Sequence, residues 1–364
     1  MIVKRLSIEN FRNIEKMNIE PCDRVNVIYG ENAQGKTNTL ESIWLCTGCK
    51  SFRGTKDKEL IRFGDEKAKI ELEFFGFDRN QQMKVEIDEK RKVLLNGIQL
   101  PSANKSLGEF LAVVFSPTHL SLIKQGPSER RRFLDTAIGQ LRPNYASLLT
   151  KYNRAVTQRN AILKDVYHHP ELLDTLDIWE DSLAAYGERI LNYRLSYLEK
   201  LKNEVKDIYS GLSCGKEEIG LRYIQDEEKG ALCEKKDELL EVLKASRKTD
   251  MLTGTTSFGP HRDDIEITIN GISARRFGSQ GQQRSCALAL KLGEASMIKK
   301  ISTQQPVALL DDVMSELDIS RQDYILNHIK DWQVFITCCD PNTILHLKEG
   351  KTYQIENGKL KVEN

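Results

Sequence analysis

Residues 24–37 read Arg-Val-Asn-Val-Ile-Tyr-Gly-Glu-Asn-Ala-Gln-Gly-Lys-Thr, an apolar strand that runs directly into a glycine-rich loop. The spacing of this loop lets backbone N–H groups surround phosphate oxygens. Lys36 supplies a positive charge for the β- and γ-phosphates, and the Thr37 hydroxyl can bind Mg²⁺. A helix predicted from Lys36 to Cys46 adds the positive end of its dipole. The stretch predicts an ATP site formed by Gly30, Glu31, Asn32, Ala33, Gln34, Gly35, Lys36 and Thr37.

A second motif is the run Val307-Ala308-Leu309-Leu310 followed by Asp311 and Asp312. Four apolar residues predict a buried strand, which we expect to lie next to the phosphate-loop strand. In a phosphate-loop protein, such a strand delivers carboxylates to the nucleotide. Asp311 is expected to hold Mg²⁺, and Asp312 to polarise the attacking water, with Lys36 as the other catalytic residue.

A third motif, Phe277-Gly278-Ser279-Gln280-Gly281-Gln282-Gln283-Arg284, opens a predicted helix before the acidic strand. A Ser-x-Gly turn at a helix start exposes N–H groups and a hydroxyl, which makes a second anion site. The alternative is that Ser279 simply caps the helix beside a glycine turn.

Outside these motifs, periodicity separates the chain into three parts. Strands are predicted at 2–8, 68–77, 83–87, 92–95 and 264–269, with hairpin turns at Asn96-Gly97 and Asn270-Gly271, and short buried strands are predicted at 111–115 and 334–337. From about 118 to 250 the pattern is helical, and apolar residues from Leu172 to Ile208 form one stripe of a long helix. We expect this stripe to pack within the protein, with a self-associating coiled coil as the alternative. Alternation of strands and helices near both ends predicts a parallel α/β core.

Composition restricts the possible partners. The chain has 364 residues and a formal net charge of +1, so a nucleic-acid partner cannot be inferred from overall charge. Charge is nonetheless uneven, because residues 118–164 carry nine Lys/Arg against two Asp/Glu, whereas 166–250 carry thirteen against nineteen. The basic part is the best indication of a nucleic-acid face. No apolar run approaches the roughly 20 residues of a membrane span, and the eight scattered cysteines indicate reduced thiols in a cytoplasmic protein without a membrane partner.

Together the motifs resemble the ATP-binding-cassette head fold, and more narrowly the RecF family of bacterial replication and repair proteins. The stretches that carry the likeness extend along the whole chain: Phe11-Arg12-Asn13, 126–135, 259–264, 279–284 and 311–318. The resemblance implies an α/β, ABC-type P-loop ATPase head with an antiparallel strand subdomain and an inserted compact helical lobe. Its expected domains are 1–117 and 251–364 for the two halves of the head, and 118–250 for the lobe.

The resemblance also implies a nucleotide held between two subunits. Ser279, Gly281 and Gln282 would bind ATP from the partner copy, while Lys36, Thr37 and Asp311 act on their own subunit's nucleotide. Arg12 and Asn13 would lie near the phosphates or base, and Asp318 would sit at the dimer seam with Ser279.

The implied function is an ATP-dependent clamp that forms homodimers on gapped or single-strand/double-strand junction DNA. It would hydrolyse ATP slowly, as a weak DNA-stimulated ATPase, and help to load RecA with RecO and RecR. Two alternatives are an ATPase whose turnover drives mechanical work and a condensin-like DNA tether. Two departures from the wider cassette pattern favour a slow switch: Asp312 stands where many such ATPases have Glu, and residues 336–340 lack a switch histidine. Arg130, Arg131 and Arg132 either contact DNA or make ion pairs within the protein.

Overall fold

The computed structural model describes residues 1–166, 168–225, 232–339 and 350–361. The strands among them are β1 (Ile2–Phe11), β2 (Ile14–Ile19), β3 (Val25–Tyr29), β4 (Ala68–Gly76), β5 (Arg79–Ile87), β6 (Arg91–Leu95), β7 (Ile98–Gln99), β8 (Ala112–Phe115), β9 (Ile219–Ile224), β10 (Asp264–Ile269), β11 (Ile272–Ser273), β12 (Val307–Asp311), β13 (Val334–Cys338), β14 (Gly350–Glu356) and β15 (Lys359–Lys361). The α-helices are α1 (Lys36–Leu45), α2 (Ser121–Lys124), α3 (Pro127–Leu141), α4 (Pro143–Asp165), α5 (Leu173–Leu212), α6 (Lys236–Thr253), α7 (Ala274–Phe277), α8 (Gln280–Ser302) and α9 (Ile319–His328).

The chain divides into two compact units. The first contains Met1–Leu120, Gly211–Gly215 and Ala287–Asn364, and the second contains Ser121–Ser210 and Lys216–Cys286. Residues 251–286, which the sequence assigned to the C-terminal half of the head, group here with the helical region. The segment around Ser279 therefore belongs to the second unit.

An antiparallel sheet in the first unit has the strand order β2-β1-β4-β5-β6-β7. Along β4, buried and more exposed positions alternate, as expected of a strand with one face on the core. The predicted Asn96-Gly97 turn joins β6 and β7, and both residues have positive φ angles of 50° and 80°. The antiparallel subdomain is thus built by local hairpins.

The other sheet of the first unit has the order β15-β14-β3-β13-β12-β8, and its pairs are parallel except for β14 with β15. Its strands β8, β12 and β13 are buried throughout, which explains why apolar residues dominate their sequences. The predicted parallel α/β core is confirmed. The expectation that the acidic strand β12 lies next to the loop strand β3 is wrong, because β13 pairs with both and separates them.

The second unit contains the helices α2–α7 and a small sheet of order β11-β10-β9. The apolar stripe predicted on the long helix is buried at Leu176, Leu183, Ile190, Leu201 and Val205. Packing within the protein therefore accounts for the stripe. Strand β9 was not predicted, because its six residues lie inside a region with helical periodicity.

Buried charges tie the helices of this unit together. Arg159 of α4 is fully buried and bonds Glu180 of α5 at 3.0 Å and Asp250 of α6 at 2.6 Å. Arg247 also bonds Glu180, so the carboxylate has two cationic partners. Because a buried charge is tolerated only when it is paired, this network fixes the three helices in one arrangement. Among the described residues, no helix combines the length and apolar content needed to cross a bilayer.

Candidate nucleotide site

The loop between β3 and α1 has the backbone conformation of a phosphate cradle. Gly30 and Gly35 adopt φ angles of 151° and 113°, which favour glycine, and Ala33 has a φ of 65°. A Cβ atom on Gly30 would lie 2.3 Å from the carbonyl oxygen of Ile355 in β14. Both loop glycines are therefore required by the geometry, and Gly30 also by its close contact with a neighbouring strand.

A C-terminal hairpin supports the loop from outside, and sequence reasoning did not identify it. The backbone N–H groups of Asn357 and Gly358, between β14 and β15, donate to the side-chain and main-chain oxygens of Gln34 at 2.5 and 3.0 Å. The signal was present in the sequence, because Asn-Gly marks a tight hairpin turn. Its connection to Gln34 is visible only in three dimensions.

Lys36 is buried at the start of α1, and its ammonium is held inside the loop. Nζ donates to the carbonyl oxygens of Gly30 at 2.6 Å and Glu31 at 2.9 Å. It also lies 3.8 Å from the thiol of Cys339, which is exposed and 3.3 Å from Asn32 Oδ1. Cys339 belongs to the segment 336–340, which lacks a switch histidine, so a thiol lies near Lys36 in this part of the site. Asp340 lies outside the described residues.

The acidic strand meets the loop although the two strands are not neighbours. Thr37 Oγ1 donates to Asp311 Oδ1 at 2.7 Å, and Thr337 at the end of β13 donates to the same oxygen at 3.0 Å. Burial raises the pKa of Asp311, while these two hydroxyls oppose the rise. A hydroxyl beside a carboxylate is the hard-oxygen donor pair that Mg²⁺ prefers, so the residues fit the ion. Thr337 was missed as a site residue, although a polar residue ending an apolar strand was a signal.

Asp312 directly follows β12 and has a backbone conformation that residues other than glycine rarely adopt. Its φ angle is 51°, its N–H donates to Thr337 Oγ1 at 2.9 Å, and its Oδ1 accepts from Ser315 Oγ at 3.1 Å. Non-glycine residues in this region are held there by their surroundings and occur often at functional sites. The carboxylate is therefore fixed beside the Thr37–Asp311 pair.

Arg12 and Asn13, in the turn after β1, reach the loop in different ways. Asn13 Nδ2 donates to Ala33 O at 3.0 Å, and its Oδ1 accepts from Asn38 at 2.8 Å. Arg12 instead binds Glu41 of α1 through two nitrogens, at 3.0 and 3.1 Å. Since Glu41 is fully buried, Arg12 neutralises a charge inside the first unit, and Asn13 is the closer neighbour of the loop.

An open pocket of about 830 Å³ continues from these residues within the first unit. Its walls include Arg12, Asn13, Asn38, Arg53 and Phe63. The ring of Phe63 is completely exposed, at 102% of its reference area. An exposed aromatic side chain in a polar pocket offers a flat apolar surface to a ring system.

In the second unit, Ser279 caps α8 as the simpler interpretation of its motif predicted. The N–H of Gln282 donates to Ser279 Oγ at 3.2 Å, and the N–H of Ser279 donates to Gln282 Oε1 at 2.7 Å. This reciprocal pair is a capping box, in which Gln282 takes the usual place of Glu. Ser279 is exposed and Gly281 is half-buried, so capping does not remove the hydroxyl from solvent.

The remaining predicted residues have local partners. Asp318 caps α9 by accepting from the N–H of Arg321 at 3.0 Å, which lowers the pKa of its carboxyl. Arg130 is buried, and its guanidinium binds Asp264 at 2.7 and 2.8 Å, so it takes the ion-pair alternative. Arg131 donates to Asp263 O at 2.7 Å, and Arg132 is exposed.

Comparisons with known proteins agree with this geometry. The description RecF/RecN/SMC N terminal domain matches residues 2–361. The DNA replication and repair protein RecF of Agathobacter rectalis is 40% identical over 366 residues, covering 100% of this chain and 99% of that protein. A solved structure of the recombination mediator protein RecF-ATP in the RecFOR pathway is 36% identical, with a TM-score of 0.91 and coverage of 100% and 98%.

A more distant likeness concerns the fold alone. The Smc head domain from Pyrococcus furiosus, solved with an extended coiled coil and bound to the C-terminal domain of ScpA, has a TM-score of 0.56 at 16% identity. It covers 100% of this chain and 96% of the solved one. The predicted ABC-type ATPase head is confirmed. Since the family description spans nearly every residue and a full-length relative shares 40% of them, this chain belongs to the RecF family of DNA replication and repair proteins.

Proposed function

We propose that the protein is an ATP-gated DNA clamp, in which two copies close around shared nucleotides and open after slow hydrolysis. The observation that carries the proposal is the meeting of Thr37 and Asp311 at 2.7 Å beside the buried Lys36. These residues form half of a nucleotide site. An exposed Ser279 hydroxyl at the tip of α8 is suited to form the other half from a second copy.

The loop half binds and orients the triphosphate. Its N–H groups contact phosphate oxygens, and Lys36 exchanges its carbonyl contacts for the β- and γ-phosphates. Thr37 and Asp311 would hold Mg²⁺, which would supply positive charge to neutralise the phosphates. Asp312, fixed by Thr337 and Ser315, accepts a hydrogen bond from the attacking water. A short carboxylate reaches that water less well than Glu, consistent with slow turnover.

The signature half supplies donors to the γ-phosphate of the partner copy. Ser279 Oγ accepts from Gln282 N–H, so its own hydrogen remains available to an anion. The N–H groups of Gln280 and Gly281, in the first turn of α8, add further donors because no earlier carbonyl of the helix lies within their reach. Asp318 is expected at the seam between copies.

The open pocket beside Asn13 is suited to the nucleoside. It starts next to the loop at Asn13 and Asn38 and extends to the exposed Phe63. Stacking of a base on an aromatic ring is worth about 1–3 kcal/mol. We assign the adenine to this pocket and the phosphates to the loop.

Closure couples nucleotide to DNA only if ATP binds the closed dimer better than the open monomer. DNA would be held through its phosphates, with strong salt dependence, on gapped or junction substrates. The solved RecF-ATP structure is described within the RecFOR pathway, which supports RecO and RecR as partners. We further propose that the clamp acts in the cytoplasm and helps to load RecA. Arg132 is the exposed member of the basic run and lies 3.8 Å from Glu129 on the same helix, and we propose that it also contacts DNA phosphates.

Neither rival function has an observation in its favour. A condensin-like tether requires a long free arm, whereas the 40-residue α5 buries its stripe within the second unit. A mechanical motor requires fast turnover, which the geometry of Asp312 does not favour. The clamp therefore remains the function that the described residues support best.

Replacing Ser279 by Asp tests the proposal. Aspartate caps a helix as well as serine does, so the thermal unfolding temperature of Ser279→Asp should stay within about 2 °C of the wild type. Its charge repels a γ-phosphate, so ATP-dependent dimers and ATP-dependent retention on gapped DNA should be lost. Light-scattering mass with ATP and Mg²⁺ measures the dimer, and Lys36→Met is the control that fails at nucleotide binding itself.

Two results would contradict the clamp. One is a wild-type protein that stays monomeric in saturating ATP and Mg²⁺. The other is a Ser279→Asp protein that dimerises as the wild type does, since a carboxylate cannot replace a hydroxyl donor at a phosphate.

A further inference from the structure

The side chain of Gln282 is held in one of its two possible amide orientations. Its Oε1 accepts from the N–H of Ser279 at 2.7 Å, which requires Nε2 to face the opposite way. With the amide reversed, two donors would face each other at Ser279. The capping box that prepares the Ser279 hydroxyl therefore depends on what Nε2 meets.

Nε2 meets the carboxylate of Glu217, which lies just before β9. Glu217 Oε1 accepts from Gln282 Nε2 at 2.6 Å, and Glu217 Oε2 accepts from the hydroxyl of Tyr209 at 2.7 Å. An ionised carboxylate only accepts hydrogen bonds, so it selects the amide orientation that the capping box needs.

Tyr209 holds the other end of this chain of hydrogen bonds. It lies near the end of α5 and is fully buried. Burial, together with the carboxylate of Glu217, raises the pKa of Tyr209 well above its usual range, so the phenol remains a donor. The connection Tyr209–Glu217–Gln282–Ser279 thus runs from the long helix to the signature turn, entirely within the second unit.

We propose that Glu217, supported by Tyr209, is a positioning residue that orients Gln282 so that the Ser279 hydroxyl faces the partner's γ-phosphate. The inference rests on the proposed function. Glu217 touches no nucleotide itself; it acts by fixing the amide. Its removal should weaken ATP-driven dimerisation and leave nucleotide binding to the phosphate loop of a monomer unchanged.

An exchange of the two side chains tests this directly. Gln282→Glu places two carboxylates at hydrogen-bond distance, and their repulsion should weaken ATP-dependent dimerisation by about tenfold or more. Adding Glu217→Gln restores every hydrogen bond of the wild type. The carboxylate at position 282 accepts from Ser279 N–H and from the NH₂ group of the new amide, and the oxygen of that amide accepts from the Tyr209 hydroxyl. The double variant should dimerise within about threefold of the wild type.

Dimerisation constants come from sedimentation at several protein concentrations, with ATP and Mg²⁺. Affinity for a fluorescent ATP analogue, measured at concentrations where the protein is monomeric, should be equal in the wild type, Gln282→Glu and the double variant. If Glu217 had a purely structural role, the variants would lose thermal stability, dimerisation affinity and ATP-analogue affinity together. Tyr209→Phe keeps the shape, removes one donor, and should weaken dimerisation by about threefold.

The outcomes separate the inference from the function on which it rests. If the wild type does not dimerise with ATP, the proposed function itself fails. If the wild type dimerises and Gln282→Glu equals it, or the double variant is no better than Gln282→Glu, the positioning role is overturned. If Gln282→Glu does not fold, the comparison of Tyr209→Phe and Glu217→Ala with the wild type decides, and unchanged dimerisation in both overturns the proposal.

Discussion

The imidazole of His261 is fixed from both sides by neutral partners. Nε2 lies 3.1 Å from Thr256 O, which only accepts, so this nitrogen carries the proton and Nδ1 accepts from Tyr152 at 2.7 Å. Burial lowers the pKa of His261 to about 4, and burial raises the pKa of its neighbour Asp263 to about 6. The contacts of His261 and the burial of Asp263 therefore explain part of the stretch at residues 259–264, for which the sequence alone gave no mechanism.

These shifts predict opposite effects of pH on stability. For His261, the folded pKa lies below the unfolded value of 6.5, so its contribution is present above pH 6.5 and is lost as pH falls towards 4. The lost contribution is on the order of 3 kcal/mol. Urea unfolding at pH 7, 6, 5 and 4 should show that His261→Gln loses less stability on acidification than the wild type.

Asp263→Asn serves as the opposing control. Because the folded pKa of Asp263 is raised, its contribution is present at low pH and is lost as pH rises through about 6. The stability of Asp263→Asn relative to the wild type should therefore increase with pH. Parallel pH profiles for the wild type and both variants would refute this account of the two side chains.

At the scale of single residues, motif spacing was informative where backbone geometry demands one residue type. Gly30, Gly35, Lys36 and Thr37 could be identified because a phosphate loop tolerates few substitutes. Glu217 could not, since a lone Glu has no spacing that indicates a partner 65 residues away. Tyr209 could not either, because its contact with Glu217 belongs to no recognisable motif.

At the scale of elements, the β14–β15 hairpin is the support of the phosphate loop. Gly358 has a φ of 71°, and a Cβ there would lie 2.3 Å from the carbonyl oxygen of Asn13. Gly97 occupies a similar Asn-Gly turn with a φ of 80°, but nothing lies within 4 Å of its Cβ position. The two glycines form a matched pair that separates turn strain from loop support.

Gly358→Ala should displace the hairpin from Gln34 and Asn13, and so weaken ATP binding by about tenfold. Gly97→Ala carries the left-handed strain alone, about 1–2 kcal/mol, and should bind ATP as the wild type does. Equilibrium binding of a fluorescent ATP analogue, with unfolding temperatures measured in parallel, checks both. Equal loss of affinity in the two variants would exclude a supporting role for the hairpin.

Strand identity was predictable and strand order was not. Mainly apolar runs identified β3, β12 and β13, since a strand covered on both faces buries most of its side chains. Nothing in those runs says which strands are neighbours, and β13 separates the two that were expected to pair. The short strand β9 was missed because its six residues lie between helices, in a region that the periodicity assigned to helices as a whole.

At the scale of the whole molecule, the proposed site is shared between copies. The Ser279→Asp subunit keeps an intact phosphate loop, and the Lys36→Met subunit keeps an intact signature turn. A mixed dimer therefore contains one complete site, although neither variant alone contains any. ATP hydrolysis by an equimolar mixture should exceed the mean of the two separate variants several-fold.

A coupled ATPase assay with variable mixing ratios measures this effect, and activity should be greatest near equal amounts. Activity that stays at the mean of the separate variants at every ratio would mean that each copy completes its own site. The wild-type protein alone, at the same total protein concentration, provides the reference rate.

The order in which strands enter the parallel sheet has a consequence for synthesis of the chain. β3, which carries the phosphate loop, pairs only with β13 and β14 among the described strands, and both come after residue 333. The antiparallel sheet is complete within residues 2–99. On the ribosome, the N-terminal sheet can thus form while the loop strand still has two unpaired edges. A nascent chain halted before residue 334 carries the nucleotide motif without a nucleotide site, which makes it a substrate for chaperones and proteases.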